Sequence, residues 1–212
     1  MVKTFEEVEL LLSLEPGYAS ARREPGRVAA LERRLGIACP RSIREWYERD
    51  DATSVLATYS NTDHPLDLAH MEVVGDRIVF MIENQGVCRW AFRVGGADDP
   101  EVLVQEEETP WQSCDCGFAR FVAAQVFDWA DGWAEDSRIL WGDPPTVQTL
   151  AWVAERFQAG PIGRQRGWPT HRFFDDRCRI TIQGEEWWVK AKSFADMDQL
   201  LDMLQPFYEG EL

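Results

Sequence analysis

The chain has 212 residues, enough for one domain with a substantial core or one domain with a small appendage. Its 45% hydrophobic and 28% charged residues exclude wholesale disorder, and no apolar run approaches the roughly 18 residues of a membrane span. The net charge of -15 is concentrated, because residues 71–145 hold 15 acidic and 5 basic side chains. Such a field repels nucleic acid and anionic membranes and speeds encounter with a basic partner, although solubility alone also favours it.

In chain order, Thr4 and Glu7 form a capping-box pair ahead of a first helix with Val8, Leu11 and Leu12 on its apolar face. Val28, Leu31 and Leu35 recur at helical spacing and Gly36 is placed to end that second helix. Pro40 suits the first turn of a third helix carrying Ile43, Trp46 and Tyr47 as a core stripe. The pattern shortens after Val55. Ile78, Phe80 and Ile82 then alternate with Arg77, Val79 and Met81 as a strand.

Asn84, Gln85 and Gly86 supply turn chemistry, and the returning strand places Cys88, Trp90, Phe92 and Val94 on one side, completing a β-hairpin. Glu83, Asn84 and Gln85 are expected to hold the turn through side-chain hydrogen bonds. Gly95-Gly96 and Pro100 turn the chain into Val102-Leu103-Val104, which extends an antiparallel meander. Phe118, Phe121, Val122, Val126 and Trp129 keep helical spacing and predict a helix across one sheet face.

Pro144-Pro145 opens a further helix with Val147, Leu150, Ala154 and Phe157 inward, ended by Gly160-Pro161. The tail reads as strands over 172–182 and 187–192 and a helix with Phe194, Met197, Leu200, Leu201 and Leu204. Adjacent Trp187 and Trp188 must point to opposite strand faces, so one lies under the last helix and the other meets the main domain or a partner. The expected fold is α+β. N-terminal helices and a central antiparallel meander covered by helices occupy 1–142, and a helix plus a ββα extension occupies 143–212.

The sequence is poor in catalytic signatures. Cys114-Asp115-Cys116 is the most tempting metal pattern, but a structural zinc site needs four ligands in closer pairs, so no metal or cofactor is expected. His64, His70 and His171 form no HExxH pattern, and no nucleophile elbow, phosphate loop or dinucleotide fingerprint is present. The basic group Arg164, Arg166, Arg172, Arg177 and Arg179 lies among Asp175, Asp176, Glu185 and Glu186, which favours an intramolecular role over nucleic-acid contact. Five scattered cysteines and an N-terminus without signal-peptide character suit reduced thiols in a cytoplasmic protein.

Three segments, "LERRLGIACPRSIREWY" (31–47), "YSNTDHPL" (59–66) and "ENQGVCRWAFRVGGADDPEVLV" (83–104), resemble actinobacterial members of the SUKH superfamily. The resemblance spans roughly residues 25–132. It implies a bacterial immunity protein that binds a cognate toxin domain, with a basic nuclease as the expected class, and it brings no catalytic residue set. The regulatory scaffolds of the same group and an unrecognised hydrolase are the alternatives.

A concentrated acidic surface suits occlusion of a basic nuclease cleft. The candidate contact residues are Asp98, Asp99, Glu101, Glu106, Glu107 and Glu108, with Asp128, Asp131, Glu135 and Asp136 second. Trp111 and Trp133 are candidate anchors, since hot spots favour tryptophan.

Overall fold

Short apolar stripes broken by glycine and proline become four short helices at the start of the computed structural model, which describes residues 5–95, 97–107, 109–164 and 169–211. These are α1 (Glu6–Leu12), α2 (Ala29–Leu35), α3 (Arg41–Tyr47) and α4 (Ala52–Thr58). Gly36 ends α2 in the left-handed conformation at φ +66°, as its position predicts. Helix α4 has no counterpart in the sequence pattern, because its buried Ala52, Val55 and Leu56 are too few for a recognisable period. The capping role read for Thr4, the turn role of Gly96, the contact role of Glu108 and the intramolecular role of Arg166 lie outside the described residues.

The first sheet contains β1 (His64–Pro65), β2 (Glu72–Val74), β3 (Arg77–Ile82), β4 (Cys88–Arg93), β5 (Glu101–Glu106) and β6 (Gln112–Gly117). Its order is β1-β3-β4-β5-β6, with β2 also on β3, and every pairing is antiparallel. The expected meander is therefore present. It gains β6, which "QSCDCG" conceals because its inward residues are two cysteines rather than branched aliphatics. Helix α5 (Phe118–Trp129) covers one face. Phe118 and Phe121 meet Phe80 edge to face at 5.2 and 5.6 Å, and all three rings are buried. Burying each such side chain stabilises the fold by about 1.5–3 kcal/mol.

The second sheet has the order β12-β7-β11-β10-β9-β8. Its strands are β7 (Asp136–Trp141), β8 (Gln158–Ala159), β9 (Thr170–Phe174), β10 (Cys178–Gln183), β11 (Glu186–Ala191) and β12 (Gly210–Glu211). Helices α6 (Val147–Ala154) and α7 (Phe194–Leu204) contribute Val153, Met197, Leu200 and Leu204 to the core on one of its faces. The predicted ββα unit is present as β10, β11 and α7, but the sheet is larger. The segment read as one strand over 172–182 is two, because the Asp175 carboxylate accepts from the Arg177 and Cys178 amides and turns the chain. Strand β7, upstream of residue 143, pairs with β11 along its whole length, so the second sheet begins before the expected boundary.

Helix α5 lies in the first core and also touches the second sheet. Its far side meets the second face of the second sheet, where Arg172 and Thr181 stand opposite each other. The Asp128 carboxylate receives Arg172 Nη2 at 2.6 Å and Nε at 2.8 Å, and Thr181 Oγ1 at 2.9 Å. Lys190 Nζ donates to the Asp128 carbonyl and pairs with Asp131 at 2.5 Å. Arg179 lies over the rings of Trp133, at 4.4 Å, and Phe127, at 5.3 Å. Burial pulls its pKa down to about 10, opposed by Glu15, Asp131 and Asp128, so it stays charged at neutral pH. Three cations thus surround the C-terminal end of α5, where the helix dipole is negative.

Trp187 and Trp188 divide as their strand geometry demands. Trp187 is buried in the second core, stacked on Phe207, and Trp188 meets Trp129 of α5 at 5.6 Å. The basic group is largely internal: Arg172 and Arg179 are buried, Arg177 pairs with Asp196 and Arg164 with Asp115.

Removing one member of a buried ion pair leaves an uncompensated charge. Asp128→Ala should therefore cost about 3–5 kcal/mol in denaturant unfolding, whereas exposed Glu106→Ala should stay within about 0.5 kcal/mol. A loss below about 1 kcal/mol for Asp128→Ala would show that the seam between the sheets does not depend on this pair.

Candidate functional site

The turns of an antiparallel meander fall alternately at its two ends, which decides where the candidate carboxylates sit. Asp98, Asp99 and Glu101 belong to the β4–β5 end, and Glu106 and Glu107 to the end shared by the β3–β4 and β5–β6 turns. Strand β5 separates the two groups by roughly 17 Å. The acidic residues expected to form one concentrated surface therefore form two patches.

At the first end, Asp98 and Glu101 are exposed, and the Asp98 carbonyl accepts from the Ser42 amide at 2.9 Å, joining this loop to the start of α3. Asp99 is partly covered because its carboxylate accepts from the Ala119 amide at 3.0 Å in the first turn of α5. A side chain at Gly117 would meet that carboxylate and force it to shift from the Ala119 amide. Asp99 is a helix-holding residue first and a contact residue second.

The other end is a platform built by three loops. Glu83 is 4% exposed, and its carboxylate accepts from the Gln85 amide at 2.7 Å while Gly86, at φ +75°, completes the reversal. Asn84 reaches across to the 59–66 loop, donating from Nδ2 to Thr62 Oγ1 at 2.8 Å and to the Asn61 carbonyl at 3.2 Å. Its amide donates to Asp63, which is 7% exposed. The Glu107 amide donates to the Val87 carbonyl at 2.7 Å and ties in the β5–β6 turn.

Asn61, Thr62 and Glu107 all hold positive φ, at +47°, +64° and +46°. Non-glycine residues keep such angles only where the surroundings over-determine them. The exposed surface of this platform comprises Asn61, Thr62, Asn84, Gln85, Glu106 and Glu107, with Val87, at 40% exposed, as its apolar spot. Nothing in the sequence pattern marks Val87 as a contact residue, because a single valine on the hairpin face opposite Cys88 and Trp90 carries no distinctive signal.

The remaining candidates divide between the surface and the interior. Asp128 is turned inward onto Arg172 and cannot serve as a surface contact. Asp131 is exposed but pairs with Lys190, and Asp136 pairs with Arg138 at 2.9 Å. Glu135 is exposed. Trp111 does not stand among carboxylates. It is half-buried on the sheet face away from α5, with the guanidinium groups of Arg77 and Arg89 at 5.6 and 5.5 Å from its ring. Trp133 is half-buried with Arg179 over its ring.

Cys114 and Cys116 both point into the first core, two residues apart on one strand face. Burial pushes the Cys116 and Cys178 thiols up to about 12 and the Cys39 thiol up to about 11, and raises Cys114 further. Among the described residues no three His, Cys, Asp or Glu side chains converge as metal ligands would. A thiol whose pKa is raised stays protonated until the pH approaches that value, so at pH 8 the thiolate is scarce as well as buried. The native chain should consume well under one equivalent of a thiol-exchange reagent at pH 8, and all five thiols should react after denaturation. Rapid reaction of Cys114 or Cys116 in the native chain would contradict this placement.

Compared with models of known families, with curated proteins and with solved structures, the chain finds no match.

Proposed function

We propose that the chain is a non-catalytic, cytoplasmic binding protein of the immunity type, which neutralises a basic toxin domain by covering its active site, with a nuclease as the expected toxin class. The observation that carries this reading is the separation of charge by the fold. Among the described residues four cations, Arg49, Arg172, Arg179 and Lys190, but only two carboxylates, Asp63 and Glu83, are buried, while Asp98, Glu101, Glu106, Glu107 and Glu135 stay at the surface. The exterior is more acidic than the composition suggests. A nuclease cleft holds phosphate and is basic, so this surface accelerates encounter and opposes entry of nucleic acid.

Membership of the SUKH group is part of the same proposal. The segments that carry the resemblance adjoin one another: the 59–66 loop is bonded to Asn84, and the start of α3 to the 95–100 loop. The platform of Asn84, Gln85, Val87, Glu106 and Glu107 combines rigid turns, carboxylates and one apolar contact, and we take it as the partner face.

Co-expression with the protein encoded beside this chain's gene tests the function directly. Growth rescue together with co-purification is the expected result, and failure of both would remove the immunity reading. For a cognate pair, Glu106→Lys combined with Glu107→Lys should slow association about tenfold at low salt, with the difference shrinking as salt is added. An unchanged association rate would exclude the platform and favour a scaffold whose partner binds elsewhere.

A further inference from the structure

The second sheet offers three cross-strand rows to the side occupied by α5. Ser137, Lys190, Arg179 and Phe174 form one row, and Ile139, Trp188, Thr181 and Arg172 the next. Helix α5 covers both: Phe127 meets Phe174 at 6.1 Å, Asp128 holds Arg172, and Trp129 meets Trp188. The third row, Trp141, Glu186, Gln183 and Thr170, lies past these contacts at the end of the strands.

Beyond that row the surface is concave. A groove of about 730 Å³ is walled by Trp141, Pro144, Pro145 and Pro169 and bordered by Glu185 and Glu186. Trp141 is 40% exposed and stands directly opposite Glu186 in the strand register, so one face-stacked cation reaches both. Glu186 is held in place by accepting from Trp188 Nε1 at 3.1 Å. Among the described residues no lysine or arginine pairs with Glu185 or Glu186. His171, also in the lining, is kept below its ordinary pKa by burial and by Arg172, so it adds no positive charge at neutral pH.

We propose that this groove is a second binding site, which takes an extended arginine-bearing segment of a protein partner. The guanidinium stacks on Trp141 and pairs with Glu186, and the proline wall receives the flanking backbone and aliphatic stem. Arginine fits better than lysine because its planar, weakly hydrated head can stack on an indole and hydrogen-bond a carboxylate in the same plane. The site stands apart from the first-sheet turns and does not depend on the immunity reading.

The test is a titration of the full chain with a blocked hexapeptide alternating arginine and glycine, followed by calorimetry and by amide chemical shifts. Shifts confined to the groove and single-site binding are expected. Replacing arginine by citrulline, which keeps the shape and removes the charge, should weaken binding about tenfold or more. Trp141→Leu and Glu186→Gln should each weaken it by a similar factor; the glutamine still accepts from Trp188, which preserves the local fold. Glu107→Lys should leave it unchanged. Equal binding of the citrulline peptide, indifference to both groove variants, an equal loss with Glu107→Lys, or no binding at low-millimolar peptide would overturn the site.

Discussion

The contact between Asp128 and Arg172 holds the two halves of the molecule in one arrangement. A single carboxylate near the end of α5 accepts two guanidinium hydrogen bonds and one from Thr181, and the carbonyl of the same residue accepts from Lys190. Taking such charges out of water is costly, and only saturation of their hydrogen bonds offsets that cost. The geometry is therefore demanding: β9, β10 and β11 must all stand in register against one turn of one helix. The Arg49 cluster does similar work among the N-terminal helices, where one buried guanidinium meets Asp51, Glu9 and Tyr18 and lies over Trp46, linking α1 to α3 and α4.

These buried cations also shape the surface. In a chain this acidic, most carboxylates could be neutralised only partially, and the fold places several of its few cations inside, beside specific partners. Surface carboxylates such as Glu106 and Glu107 are then left to the solvent and to whatever approaches. The stability of the seam and the character of the exterior have one physical origin, which is the choice of which charges to bury.

Elements whose signal is local were legible in the sequence. Helix α5 has a long apolar period, α2 ends at a glycine that adopts positive φ, and the β3–β4 hairpin carries its own turn residues. Elements whose signal is non-local were not. Strand β7 is half-buried and charged, and it becomes a strand because β11 presents a full ladder of partners. Strand β6 turns two cysteines inward, and α4 is too short to show a period.

The sequence by itself determined the α+β class, the main helix and hairpin, the opposite orientation of Trp187 and Trp188, and the excess of negative charge, because composition and period depend only on neighbours along the chain. The tertiary structure alone decided which carboxylates face a partner. Asp128 and Glu107 are chemically similar in the sequence, yet one is locked against Arg172 and the other crowns a turn. Glu101 and Glu106 begin and end one strand and so stand at opposite ends of the sheet, whereas Trp141 and Glu186, 45 positions apart, end side by side because their strands pair. Distance in space is set by pairing, and pairing is a property of the whole fold.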